Sequence, residues 1–150
     1  MSTRGSPSEA ARERISRWVL HTPLLHSPAL SERTGAEIYL KLECWQRCGC
    51  FKVRGALSMV SALSAAERQR GLVTCSSGNH GLSLAYAATQ FGGPDTRVFV
   101  PESAQQAKVR KIRQYGAEVV PRGRDFLEAF DAATEFARAS GATFVHSHDH

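Results

Sequence analysis

The sequence predicts an α/β fold, an open parallel sheet with helices on both faces and therefore three layers. Apolar periodicity switches regularly between helix and strand from residue 51 to 145. Each strand is separated from the next by a single helix, which implies parallel pairing through right-handed crossovers. With 42% hydrophobic and 22% charged residues, the 150-residue chain can build one real core.

Residues 1–8 hold Ser, Thr, Gly and Pro with almost no apolar side chain and read as a flexible lead-in. A short helix over 10–19 follows, broken by Thr22-Pro23-Leu24 because proline lacks a backbone donor and drives Thr22 toward extended geometry. Residues 37–43 alternate as a strand with Ile38, Leu40 and Leu42 on one face. A helix over 52–63 carries Val53, Ala56, Leu57 and Val60 on one side, and Ser64 to Glu67 has capping-box form for the turn that follows. Leu72 to Cys75 is a short strand. Residues 79–91 form a helix with Leu82, Ala85 and Tyr86 at core spacing, ended by Gly92-Gly93-Pro94. A strand over 97–100 precedes a helix opened by Ser103, with Val109 and Ile112 inward and Gly116 placed to end it. Then come a strand over 117–120, a helix over 125–139 with Leu127, Phe130 and Ala133 on its buried stripe, and a strand over 143–145. There is no internal repeat and no low-complexity linker.

The net charge of +5 comes from scattered basic residues interrupted by acids, without aromatic interleaving, so no nucleic-acid partner is expected. No apolar run approaches membrane-spanning length and the N-terminus lacks a signal-like stretch, so the expected location is cytoplasmic, with no membrane partner. Cysteines 44, 48, 50 and 75 are then expected reduced, and their spacing does not match the usual zinc pairs. Three histidines in 146–150 suit adventitious cation binding; no metal site is expected.

Two segments carry chemistry. Lys52 falls in the first turn of its helix, where the positive end of the macrodipole disfavours an ammonium; Phe51, Val53 and Ala56 desolvate it, and Arg54 adds like charge. A neutral amine is the nucleophile that an imine requires. Ser76-Ser77-Gly78-Asn79 follows a strand and opens a helix, at the carboxyl end of the sheet where open α/β folds bind ligands. Its hydroxyls, the Asn amide and free backbone donors suit a carboxylate or phosphate; ordinary N-capping by Ser or Asn is the alternative. Gly78 would permit backbone geometry closed to other residues. His80 receives no proton-transfer role, and Cys50 reads as a small buried side chain.

These segments resemble the pyridoxal-phosphate-dependent serine/threonine dehydratase family, which also contains serine racemase and shares the tryptophan synthase β-like fold (fold type II). The resemblance runs through His21-Thr22-Pro23-Leu24, Tyr39 to Glu43, Gly49 to Ala56, Ser76-Ser77-Gly78-Asn79-His80-Gly81, Val100-Pro101-Glu102, Ala107-Lys108-Val109 and Tyr115 to Val119. It implies that Lys52 holds pyridoxal 5'-phosphate as a Schiff base, that Phe51 lies against the pyridine ring and that Asn79 bonds the ring hydroxyl. Ser76, Ser77, Asn79 and His80 would surround the substrate carboxylate. The freed Lys52 amine would take the α-proton, and loss of the β-hydroxyl would lead to a 2-oxo acid and ammonia. A serine at the position of Ser77 reprotonates the opposite face in racemase-like members, so racemisation stays open.

His80 where sulfhydrylase-type relatives have Thr, and Arg54 where threonine synthases have an acid, favour the dehydratase or racemase branch. Cys48-Gly49-Cys50 stands where the family usually has Thr-Gly-Ser. The resemblance assigns 1–50 to an N-terminal segment of the larger domain and 51–150 to the small α/β domain. It also implies an incomplete chain with impaired activity, since the family's glycine-rich phosphate loop lies beyond His150. Further readings are a non-catalytic module docking through Ile38, Leu40 and Leu42, and a homo-oligomer.

Overall fold

A computed structural model describes residues 6–148, in which four parallel strands form one sheet in the order β5-β4-β3-β6. These are β3 (Leu72–Cys75), β4 (Thr96–Val100), β5 (Glu118–Pro121) and β6 (Thr143–Phe144). Between them run α5 (Asn79–Thr89), α6 (Gln106–Gln114) and α7 (Phe126–Ser140), and α3 (Lys52–Ala62) packs along α5. The predicted helix–sheet–helix layering is what the chain forms.

Side-chain alternation explains the layers. On β4, Val98 and Val100 join Val109 and Ile112 of α6, whereas Phe99 between them joins Ala129 and Ala133 of α7. On β3, Leu72 meets Leu57 and Val60 of α3 while Val73 faces α7. Leu57, Leu84 and Ile112 have no exposed surface, and each such side chain stabilises the fold by roughly 1.5–3 kcal/mol.

The first fifty residues hold α1 (Pro7–Ile15), β1 (Leu24–His26), α2 (Pro28–Thr34) and β2 (Tyr39–Lys41). Residues 1–5 of the expected lead-in lie outside the described residues, but Ser6 already caps α1, its hydroxyl accepting from the Glu9 amide while the Glu9 carboxylate accepts from the Ser6 amide. β1 and β2 make a separate antiparallel pair, Leu25 opposite Leu40. The predicted strand over 37–43 is thus shortened, and Leu40 is exposed because a two-stranded ladder has no interior of its own. α4 (Ala65–Gln69) turns the Ser64–Glu67 capping box into a short helix.

Three helix readings need correction. The helix expected over 10–19 is α1 over Pro7–Ile15, with only a 3-10 turn over Ser16–Trp18 after it. Ser103 does not open α6: Gln105 is its N-cap, and Ser103 lies in a turn closed by the Ala104 amide on the Pro101 carbonyl. Leu127 is 65% exposed, since the face that α7 lays on the sheet is the small stripe Ala129, Ala133 and Ala137. Gly116 ends α6 as expected, with φ of +82°.

Candidate active site

Lys52 is the first residue of α3, directly after its N-cap Phe51. Its place is fixed by Val53, Ala56, Leu57 and Val60, which bury the inner face of α3 against Leu84 and Ala87 of α5. Cys50 before it is extended and buried, its Sγ 3.7 Å from the Ser83 hydroxyl. The Lys52 side chain is half-buried, and its Nζ donates to the Ser147 carbonyl at 3.0 Å and lies 5.6 Å from the centre of the Phe51 ring. Around it is a cavity of about 220 Å³ walled by Phe51, Gly55, Ala56, His80, His146 and Ser147.

The segment 76–80 leaves β3 and enters α5 at the same carboxyl edge of the sheet. Ser76 is anchored by its amide on the Phe99 carbonyl, and its hydroxyl accepts from the Gly78 amide at 3.2 Å. Gly78 is the N-cap of α5 and no side chain caps the first turn, so N-capping by Ser or Asn is not the arrangement formed. Ser77 is half-buried and Asn79 exposed. The special backbone freedom expected of Gly78 is unused, because its φ is −123°. Gly81 is the glycine that matters: a Cβ there would sit 2.6 Å from the Ser76 carbonyl and 2.8 Å from Val98 Cγ1.

His80 points inward. Its Nε2 lies 3.1 Å from the Thr74 hydroxyl and 3.2 Å from the Val145 carbonyl, and the ring closes the inner wall of the Lys52 cavity. The structure therefore brings Lys52, Phe51 and His80 around one space. Ser76, Ser77 and Asn79 stand at the same sheet edge without lining that cavity.

Arg54 does not act as a bare like charge beside Lys52. Its Nε and Nη2 each reach a carboxylate oxygen of Glu43 at 2.8 Å, a bidentate pair. The guanidinium bonds, opposed by burial and aided by the Thr22 hydroxyl at 2.5 Å, hold the Glu43 carboxyl down at about 2. Gln46 adds a second tie, accepting from the Leu20 amide and donating to the Leu20 carbonyl. These bonds fasten residues 20–22 and 43–46 to the helix that carries Lys52.

Burial pushes the Cys48 and Cys75 thiols up to about 11. Among the described residues no cluster of His, Cys, Asp or Glu has metal-holding geometry, and no helix is long and apolar enough to cross a membrane. Asp149 and His150 of the His-rich end lie outside the described residues. Sequence reasoning missed Glu43, His146 and Ser147. For the last two a signal existed, because any residue just after β6 must emerge beside the 76–80 segment.

Residues 15–150 match the family model described as pyridoxal-phosphate dependent enzyme. The chain is 43% identical over 141 residues to an L-threonine ammonia-lyase of Geobacter sulfurreducens, covering 94% of this chain and 35% of that protein. Threonine deaminase isoform 2 of Solanum lycopersicum superposes with a TM-score of 0.85 at 30% identity, covering 97% of this chain and 42% of that one. Maize serine racemase gives 0.86 at 29% identity, over 94% and 43%. The chain thus spans about a third of the length of the curated relative it matches.

Proposed function

The chain belongs to the family of pyridoxal-phosphate-dependent enzymes, and on that premise we propose that it carries the lysine-bearing part of a lyase that converts L-threonine or L-serine to a 2-oxo acid and ammonia. The observation that carries this reading is the Lys52 amine, half-buried in a cavity beside an aromatic ring, at the sheet edge where the 76–80 segment emerges. The threonine ammonia-lyase relative supports the choice of reaction.

At the cofactor's ring end, Lys52 would be the covalent anchor with Phe51 beside it in the same cavity, and Asn79, outside that cavity at the same sheet edge, would reach toward the ring hydroxyl. When bound, pyridoxal phosphate supplies an electron sink for the pair left on the substrate's α-carbon. Ser76 and Ser77, with Asn79 and the first turn of α5, receive the substrate carboxylate, since donors and the positive helix end converge there. His80 contributes from the cavity wall. The Lys52 amine would be the group that takes the α-proton, from its place in the cavity walled by Phe51, His80, His146 and Ser147.

Residues 51–150 then form the small domain, and 1–50, with its separate β1–β2 ladder, an edge of the larger one. The four free cysteines suit a reducing cytoplasm. Serine racemase-like chemistry is the second reading, favoured by the half-buried Ser77 and the maize neighbour. A third is a non-catalytic module or homo-oligomer joined through exposed Leu24, Leu25, Tyr39 and Leu40.

Incubation with pyridoxal phosphate is expected to give an imine absorption band that Lys52→Ala abolishes. With L-threonine added, 2-oxo acid would mark the lyase, and D-serine from L-serine the racemase. A band that survives in Lys52→Ala would refute the reading.

A further inference from the structure

His80 is 8% exposed, and its imidazole is committed to the junction of β3 and β6. The Val145 carbonyl receives the Thr74 hydroxyl at 2.7 Å and faces His80 Nε2 at 3.2 Å, and the Val145 amide donates to the Val73 carbonyl. Two residues further on, the Ser147 carbonyl accepts the Lys52 amine. One short stretch of backbone, 145–147, therefore joins the ring of His80 to the amine of Lys52.

We infer that His80 is a positioning residue: by gripping the Val145 carbonyl, together with Thr74, it sets the exit path of β6 and so holds the carbonyl that receives the Lys52 amine. β6 is only two residues long and pairs on one side, so its ladder alone leaves the exit weakly specified. Side-chain donors on Val145 replace the missing ladder there. The inference rests on Lys52 being the functional amine, but the chemistry of His80 is mechanical and needs no proton transfer.

The test is competitive labelling of lysines with acetic anhydride, read by peptide mass spectrometry on the cofactor-free protein. The Ser147 carbonyl holds the half-buried amine in its cavity, so releasing it speeds its encounter with the reagent. His80→Leu is expected to raise the rate at Lys52 about five-fold relative to Lys108, the ratio that loss of one hydrogen bond allows. His80→Gln, which retains a donor, restores most of the protection, and a general loosening of the fold would also open the buried Cys75 to alkylation, which local release of Lys52 would not. Thr74→Val, which removes the other donor on the same carbonyl, is expected to raise Lys52 labelling in the same direction, and it keeps the test decisive if His80→Leu fails to fold. Unchanged Lys52 labelling in a folded variant overturns the inference. Because no cofactor enters the assay, its outcome is independent of whether pyridoxal phosphate binds.

Discussion

Arg54 and Glu43 meet in a two-pronged ion pair, with both nitrogen–oxygen distances at 2.8 Å, that ties the loop before Lys52 to the helix that begins with it. Removing either partner leaves the other charge partly buried, which is more damaging than losing the pair together. Arg54→Ala is expected to cost about 2 kcal/mol of unfolding free energy, measured by urea denaturation.

The same pair sets a pH dependence. Glu43 is held at about 2 against an ordinary 4.5, so the folded state binds fewer protons than the unfolded chain in that interval. Its contribution is complete above about 4.5 and lost as pH falls toward 2. Stability measured from pH 6 to 3 is expected to drop less steeply in Glu43→Gln than in the parent; parallel curves would contradict this.

Gly81→Ala forces a methyl onto the Ser76 carbonyl and Val98, neither able to move freely. Overpacking of this kind typically costs about 1–3 kcal/mol. Thermal denaturation is expected to show a lower midpoint, whereas Gly78→Ala, with only Ser76 Oγ near at 4.0 Å, leaves it nearly unchanged.

The contrast between these glycines shows what could be read in the sequence. Strands β3 to β6 and helices α3, α5 and α7 followed from periodicity, most strongly at β3 and β4, where burial on both faces leaves a near-continuous apolar signature. β1 and α2 escaped, since Thr22-Pro23-Leu24 signalled only a break and a three-residue exposed strand has no pattern to detect. Leu127 misled because it is apolar at helical spacing, while the true contact stripe is built from alanines. That Lys52 starts a helix and that 76–80 leaves a strand at its carboxyl end could be read locally, whereas the roles given to these residues came from the family resemblance. The inward turn of His80 and the Glu43–Arg54 pair depend on contacts across the fold, which local sequence does not encode.

Thiol reactivity should sort by burial. Cys44 is exposed, whereas Cys50 is buried and Cys48 and Cys75 are raised to about 11, leaving little thiolate below that pH. Iodoacetamide at pH 8 is expected to modify Cys44 first by peptide mapping; rapid modification of Cys75 would count against the packing of β3 under α7.

Asn79 is exposed at the first residue of α5, so Asn79→Ala is expected to change stability by less than about 0.5 kcal/mol. Its effect should fall on cofactor affinity, read as a weaker absorbance titration with pyridoxal phosphate. A large fall in melting midpoint with unaltered titration would assign Asn79 a structural role instead.

The most direct test is borohydride reduction of the protein after incubation with pyridoxal phosphate, followed by peptide mapping of the four lysines, 41, 52, 108 and 111. The expected result is a stable phosphopyridoxyl adduct concentrated on Lys52. An adduct spread evenly over all four, or placed mainly on Lys108 or Lys111, would contradict the assignment of Lys52 as the anchoring amine.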